Sequence, residues 1–201
     1  MRLQGNGEEM ITPELVRKLW AEALDHFGAK SVDKEDSDFM EAVGGFLDGI
    51  GVLDKEDFLE RFTTTIGRTI YRPFDIGVED GGWDLESQVM ILTHELVHCE
   101  QYEDGPVEFC VDYVVSRSAR ADFEAKAYAA DMEINYFLTG ELYDIPTRAA
   151  SLLYYGLNQS HVDLVVSVME SISETVVQGA SVNDVAAWVL NWLEENGVEP
   201  N

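Results

Sequence analysis

Ile91-Leu92-Thr93-His94-Glu95-Leu96-Val97-His98 is the stretch whose reading decides both fold class and chemistry. Apolar residues continue upstream through Val89 and Met90, and Asp84 stands where an N-cap belongs, so the pattern predicts a buried helix over 85–102. His94 and His98 are four residues apart. On a helix they share one face, with Cβ atoms roughly 5–6 Å apart, and both rings can reach one ion. Glu95 is rotated by about 100° from His94. It lies too far round to be a third ligand but close enough to touch water beside such an ion. Two nitrogen ligands, an open position and a carboxylate that takes a proton are the parts of a zinc hydrolase. Two buried imidazoles around a buried glutamate are also costly without a metal or partners.

A catalytic zinc takes three protein ligands. The histidines are His26, His94, His98 and His161, so carboxylates must also be considered. A helix predicted over 117–138 offers Asp122, Glu124, Asp131 and Glu133. Its apolar face is set by Phe123, Ala127, Ala130, Ile134, Phe137 and Leu138. Arg120, Glu124 and Asp131 flank that face on one side; Asp122, Lys126 and Glu133 flank it on the other. Asp122 and Lys126 have the spacing of a solvated surface pair. Glu124 is therefore the expected ligand, and alanines at 119, 121, 125, 127, 129 and 130 allow the motif helix to come close.

His94-Glu95-Leu96-Val97-His98, with Glu124-Ala125-Lys126-Ala127-Tyr128 downstream, resembles the gluzincin group of zinc metallopeptidases. It looks most like small zincin-like proteins of bacteria and their phages. The resemblance covers 63–140. Phe123 precedes Glu124 where the best-known gluzincins have asparagine. The resemblance implies one Zn2+ per chain on His94, His98 and Glu124, Glu95 as general base, and a peptide or protein substrate. It also implies that the edge strand of a small sheet holds extended substrate; 69–74 matches that strand. For the donor that meets the reacting oxygen, Tyr128, His161, Tyr154 and Tyr155 stand open. Asp131 could accept the free N–H of a ligand histidine. Cys99 points about 100° away from His98 and reads as a buried thiol. Gln101 and Tyr102 adjoin the site without an assigned role.

A fold does not by itself confer an activity. The alternative is a catalytically inactive zincin-like protein, acting as an interaction or structural module, with the acidic C-terminal third as a surface or lid. A closed structural zinc site would draw on Cys99 or Cys110, and neither has a standard ligand spacing to the histidines.

The rest of the chain reads as α+β, mainly α. Segments 1–62, 63–140 and 141–201 are expected to form an N-terminal helical part, the zincin-like metal-binding core and a C-terminal helical part, together one compact domain. Thr12 and Pro13 open a first helix that Gly28 ends. Asp36 or Ser37 opens a second through Phe39, Val43, Phe46 and Leu47; Asp54 caps a third through Phe58 and Phe62. The β-branched and aromatic run at 63–74 predicts one or two short strands, with a turn or bulge at Gly67 and an edge position at Pro73. Residues 106–115 read as a mixed connector, and Gly140 ends the helix at 117–138. Pro146 starts a helix through Leu152, Leu153 and Tyr155. Helices at 161–177 and 182–193 follow, the last capped by Ser181 and closed by Gly197.

Apolar residues form 46% of the 201, enough for a packed core. Thirteen basic residues against 39 acids leave a net charge of −26, which argues against nucleic acid and anionic membranes as partners. No lysine or arginine follows Arg148, while seven acids do. That tail reads as a solvated surface. The polar first ten residues and the lack of an 18-residue apolar run predict a cytoplasmic protein with no signal peptide or membrane span. Cys99 and Cys110 are expected as reduced thiols, with a disulfide between them left open.

Overall fold

A computed structural model of the chain describes residues 11–49 and 55–201. The expected cap Asp54 lies outside them, and the side chains of Phe46, Leu47, Cys110 and Tyr155 are likewise not among those described. The protein is mainly helical with a small three-stranded sheet. Helix α1 (Pro13–His26) leads to strand β1 (Lys30–Asp33) and helices α2 (Asp38–Gly49) and α3 (Lys55–Arg61). Strands β2 (Thr64–Ile66) and β3 (Thr69–Arg72) follow, then α4 (Leu85–Asp104), α5 (Pro106–Val115) and α6 (Arg117–Thr139). Helix α7 (Ile145–Ala150) runs into a 3-10 turn (Ser151–Tyr155), and α8 (Gln159–Val177) and α9 (Asp184–Glu195) complete the chain.

Local chemistry sets most boundaries. Thr12 caps α1, accepting from the Leu15 N–H at 3.2 Å, and Asp84 caps α4, accepting from Ser87 at 2.7 Å. Gly67, at φ +63°, turns the expected β-run back on itself to make the β2–β3 hairpin. The buried Gln88 amide then ties down the loop before α4: it accepts from the Gly77 N–H and donates to the Val78 and Trp83 carbonyls. Gly77 has φ +72°, and a Cβ there would meet the Pro13 carbonyl oxygen at 2.6 Å. That close approach sets the loop against α1.

Helix α6 is the axis of the molecule. Ala127, Ala130 and Ile134 pack into a core shared with Leu19, Trp20, Ile70, Leu92, Leu96 and Val189. Ala121, Ala125, Tyr128 and Met132 pack into a second core with Leu152, Val162, Val165 and Met169. The expectation of one apolar face is corrected to two: α4 covers one side and α8 the other. Glu133, placed on a solvated flank by periodicity, is buried. It accepts hydrogen bonds from the Ser181 hydroxyl and the Val182 N–H, and so fixes the approach to α9. Asp122 and Lys126 do pair at the surface, at 2.8 Å.

Other expectations are also corrected. Residues 106–115 form a helix, because Pro106 suits the first helical turn, where no N–H is needed. Met40 faces inward from α2 while Phe39 is exposed. Asn183, with its side chain accepting from Val185 and Ala186, caps α9 in place of Ser181. The sheet order is β1-β3-β2, so 69–72 is the central strand and β2 is an edge. Strand β1, which pairs parallel with β3, was not anticipated; four residues with charges at both ends carry little strand signal.

Lys34 follows β1 and is fully buried. Its ammonium donates to the carbonyls of Phe58 at 2.9 Å and Phe62 at 2.6 Å, and so serves carbonyls left open at the end of α3. Burial pushes its pKa down from 10.5 to about 7, against the pull of the Glu95 carboxylate. The unfolded chain holds this proton more tightly, so the penalty is full below pH 7 and is relieved as pH rises toward 10.5. The upper bound is about 5 kcal/mol. Stability of the native protein is expected to gain on that of a Lys34→Met variant across this window, measured by denaturant unfolding at a series of pH values. Parallel curves would contradict it.

Candidate metal centre

The motif helix α4 and the axial helix α6 meet where the alanines of α6 let them approach, and they place His94, His98 and Glu124 together. One ligand atom from each lies within 4.8 Å of the others. Glu124 is 2% exposed and directs one oxygen at each ring: Oε2 is 3.6 Å from His94 Nε2, and Oε1 is 3.7 Å from His98 Nε2. These separations are longer than ordinary hydrogen bonds. They are at or slightly beyond the spacing of about 3.3–3.6 Å between two atoms that each sit about 2.0–2.2 Å from one tetrahedral ion, so a small closure of the group would admit one.

Each histidine is turned by a separate acceptor. His94 Nδ1 faces Asp131 Oδ2 at 3.1 Å, and His98 Nδ1 faces Gln101 Oε1 at 2.9 Å. The Gln101 amide is itself oriented, since its Nε2 donates to the Phe123 carbonyl at 3.1 Å. Both Nε2 atoms are thereby aimed at Glu124. Tyr113 donates its hydroxyl to Glu124 Oε1 at 2.6 Å, and Arg148 donates to Asp131 Oδ2 at 3.0 Å.

The electrostatics favour a cation. Burial alone would raise the Glu124 pKa, but His94, His98 and Tyr113 reverse that and hold it at about 2. Asp131 is likewise lowered: burial is outweighed by His94 and Arg148. Burial disfavours a charged His94, yet Asp131 and Glu124 lift its pKa well above the ordinary value. Two ionised carboxylates thus grip one ring from opposite sides, and a set of two imidazoles and a carboxylate could hold a divalent metal ion.

A cleft of about 330 Å³ reaches the cluster at His94, with Glu95, Tyr128, Arg148, Trp83 and Ser151 also among its walls and His98 and Glu124 behind them. Glu95 is outside the three-residue group. Thr65, on the edge strand β2, donates its hydroxyl to Glu95 Oε2 at 2.7 Å. The strand that touches the motif carboxylate is thus β2, whereas the sequence pointed to 69–74. Tyr128 packs its ring 5.3 Å from that of His94, and its hydroxyl meets Ser151 Oγ at 2.7 Å. Burial raises its pKa, so it stays neutral.

His161 is not among the residues that line the cleft; its Nε2 stands 3.5 Å from Ser118 Oγ, beside the start of α6. Tyr154 lies in a neighbouring shallow recess and is largely exposed. Cys99 is a buried free thiol, its pKa pushed up to about 12 by burial. Three residues of the site escaped sequence reasoning, Tyr113, Arg148 and Thr65, and Gln101 was placed beside the site without a role. Gln101 had a signal, three residues after His98 and on its face. Arg148 had another, as the last basic residue of the chain. No helix among the described residues is long and apolar enough to cross a membrane. Comparison of the chain with protein-family models, curated proteins and solved structures finds no match.

Proposed function

We propose that this protein is a zinc-dependent hydrolase, a peptidase of zincin-like fold. The observation that carries the reading is the convergence of His94 Nε2, His98 Nε2 and Glu124, with Glu95 beside them and outside the set. His94, His98 and Glu124 would hold the ion. Bound zinc supplies polarisation of a carbonyl and acidification of water. Glu95, its carboxylate fixed by Thr65, accepts a proton from water in the cleft and returns it to the leaving amine. Tyr128, whose ring packs on His94 and lines the cleft, would donate to the reacting carbonyl oxygen by turning its hydroxyl away from Ser151. Among the described residues no strand pairs with the outer side of β2, where an extended peptide can add.

Zinc-loaded protein is expected to cleave members of a mixed peptide library, to lose that activity on chelation and to recover it with zinc. Bound zinc with no peptide cleaved would overturn the hydrolytic reading and favour an interaction module. The outer contacts carry a separate expectation. Gln101→Leu removes the acceptor at His98 Nδ1 and is expected to weaken zinc binding about 10- to 100-fold. Competition with a chromophoric chelator measures it. Unchanged affinity would remove Gln101 from the site.

A further inference from the structure

We infer that the cleft selects a carboxylate on its ligand, and that Arg148 is the residue that reads it. The inference rests on the hydrolytic reading only for calling that ligand a substrate. Acids outnumber bases 39 to 13 in this chain, yet the cleft wall holds two arginines, Arg61 and Arg148, against one carboxylate, Glu95. A chain of net charge −26 repels acidic peptides over most of its surface. Each arginine also pairs with an acid, Asp57 or Asp131, so the cleft offers placed cationic groups rather than a net positive field.

Arg148 is held but not consumed. One Nη2–H goes to Asp131, and the guanidinium carbon stands 5.2 Å from the centre of the Tyr128 ring. The Asp131 contact is its only protein hydrogen bond among the described residues, and 44% of the side chain remains exposed. A planar fork backed on an aromatic face, with N–H groups beyond the one given to Asp131, suits a carboxylate. Arg61 is 73% exposed and pairs with Asp57 through Nε, so it adds charge at the rim without a fixed geometry. Beside Arg148, Ser151 joins the cleft to a shallow apolar recess of Ala150, Leu153 and Tyr154. That recess suits an apolar side chain next to the carboxylate.

The carboxylate has two sources, an acidic side chain or a peptide C-terminus. Calorimetry on the full-length zinc-loaded Glu95→Gln protein separates them with four peptides of one apolar core. Two differ as internal Glu or Gln, and two as C-terminal acid or amide. At least one acid is expected to bind about 10-fold tighter or more than its neutral twin. Arg148→Gln is expected to erase that ratio, Arg148→Lys to retain part of it, and Arg61→Gln to lower it about twofold. A merely structural role for Arg148 at Asp131 would weaken all four peptides alike and leave the ratio standing. Equal binding of both pairs, no binding of any peptide, or a ratio that survives Arg148→Gln overturns the inference. If wild-type protein cleaves nothing while the ratio holds, the hydrolytic reading fails and the carboxylate site stands.

Discussion

Glu95→Gln is expected to lower peptide hydrolysis by about three orders of magnitude while zinc content and fold stay unchanged. The two halves of that result separate base from ligand. Glu95 is outside the group formed by His94, His98 and Glu124, so its carboxylate is not needed to hold the ion. The glutamine amide is nearly isosteric, and its carbonyl oxygen can still accept the Thr65 hydroxyl that Glu95 Oε2 now takes at 2.7 Å. What the amide cannot do is accept a proton from water at neutral pH. General-base catalysis of this kind contributes about 10²- to 10⁴-fold. Steady-state rates beside elemental analysis of the same preparation give the answer. Full activity in the variant would exclude Glu95 as the base, and lost zinc would make it a ligand.

The second large effect belongs to Glu124. Glu124→Ala removes the carboxylate that faces both imidazoles, and zinc affinity is expected to fall well beyond the roughly 100-fold limit for outer contacts. Glu124→Gln serves as the control for folding, because the amide oxygen keeps an acceptor for the Tyr113 hydroxyl. It is expected to remain folded by circular dichroism and still to bind zinc poorly, since the negative charge is gone. Native-like affinity in both variants would leave the two histidines with some other partner.

Much of this site is written in local spacing. Asp84 as cap and the apolar run around His94 are enough to place a buried helix, and α4 follows. Glu124 was legible because its helical phase flanks an apolar face rich in alanine, and Asp131 because it lies two turns further on the same flank. What could not be read comes from elements far apart in the chain. Tyr113 sits on α5, a helix whose N-cap Gly105 has no side chain to signal a start. Thr65 reaches Glu95 only because Gly67 folds the β-run into a hairpin and β1 takes the far side of β3, so that β2 lies at one end of the sheet against α4. Arg148 depends on α7 packing against α8, which brings its guanidinium to Asp131 of α6, and no periodicity within α7 reports on that contact. His161 shows the opposite limit: a titratable residue near a helix start was attractive by type, and the fold sets it beside Ser118 and outside the cleft walls.

The central claim is a single ion gripped by two rings and one carboxylate. Its most direct measurement is anomalous X-ray scattering at the zinc edge from crystals of protein purified without chelators. The account predicts one strong peak per chain, about 2.0–2.2 Å from His94 Nε2, His98 Nε2 and a Glu124 oxygen. No peak there, or zinc found only on the acidic surface, would contradict it.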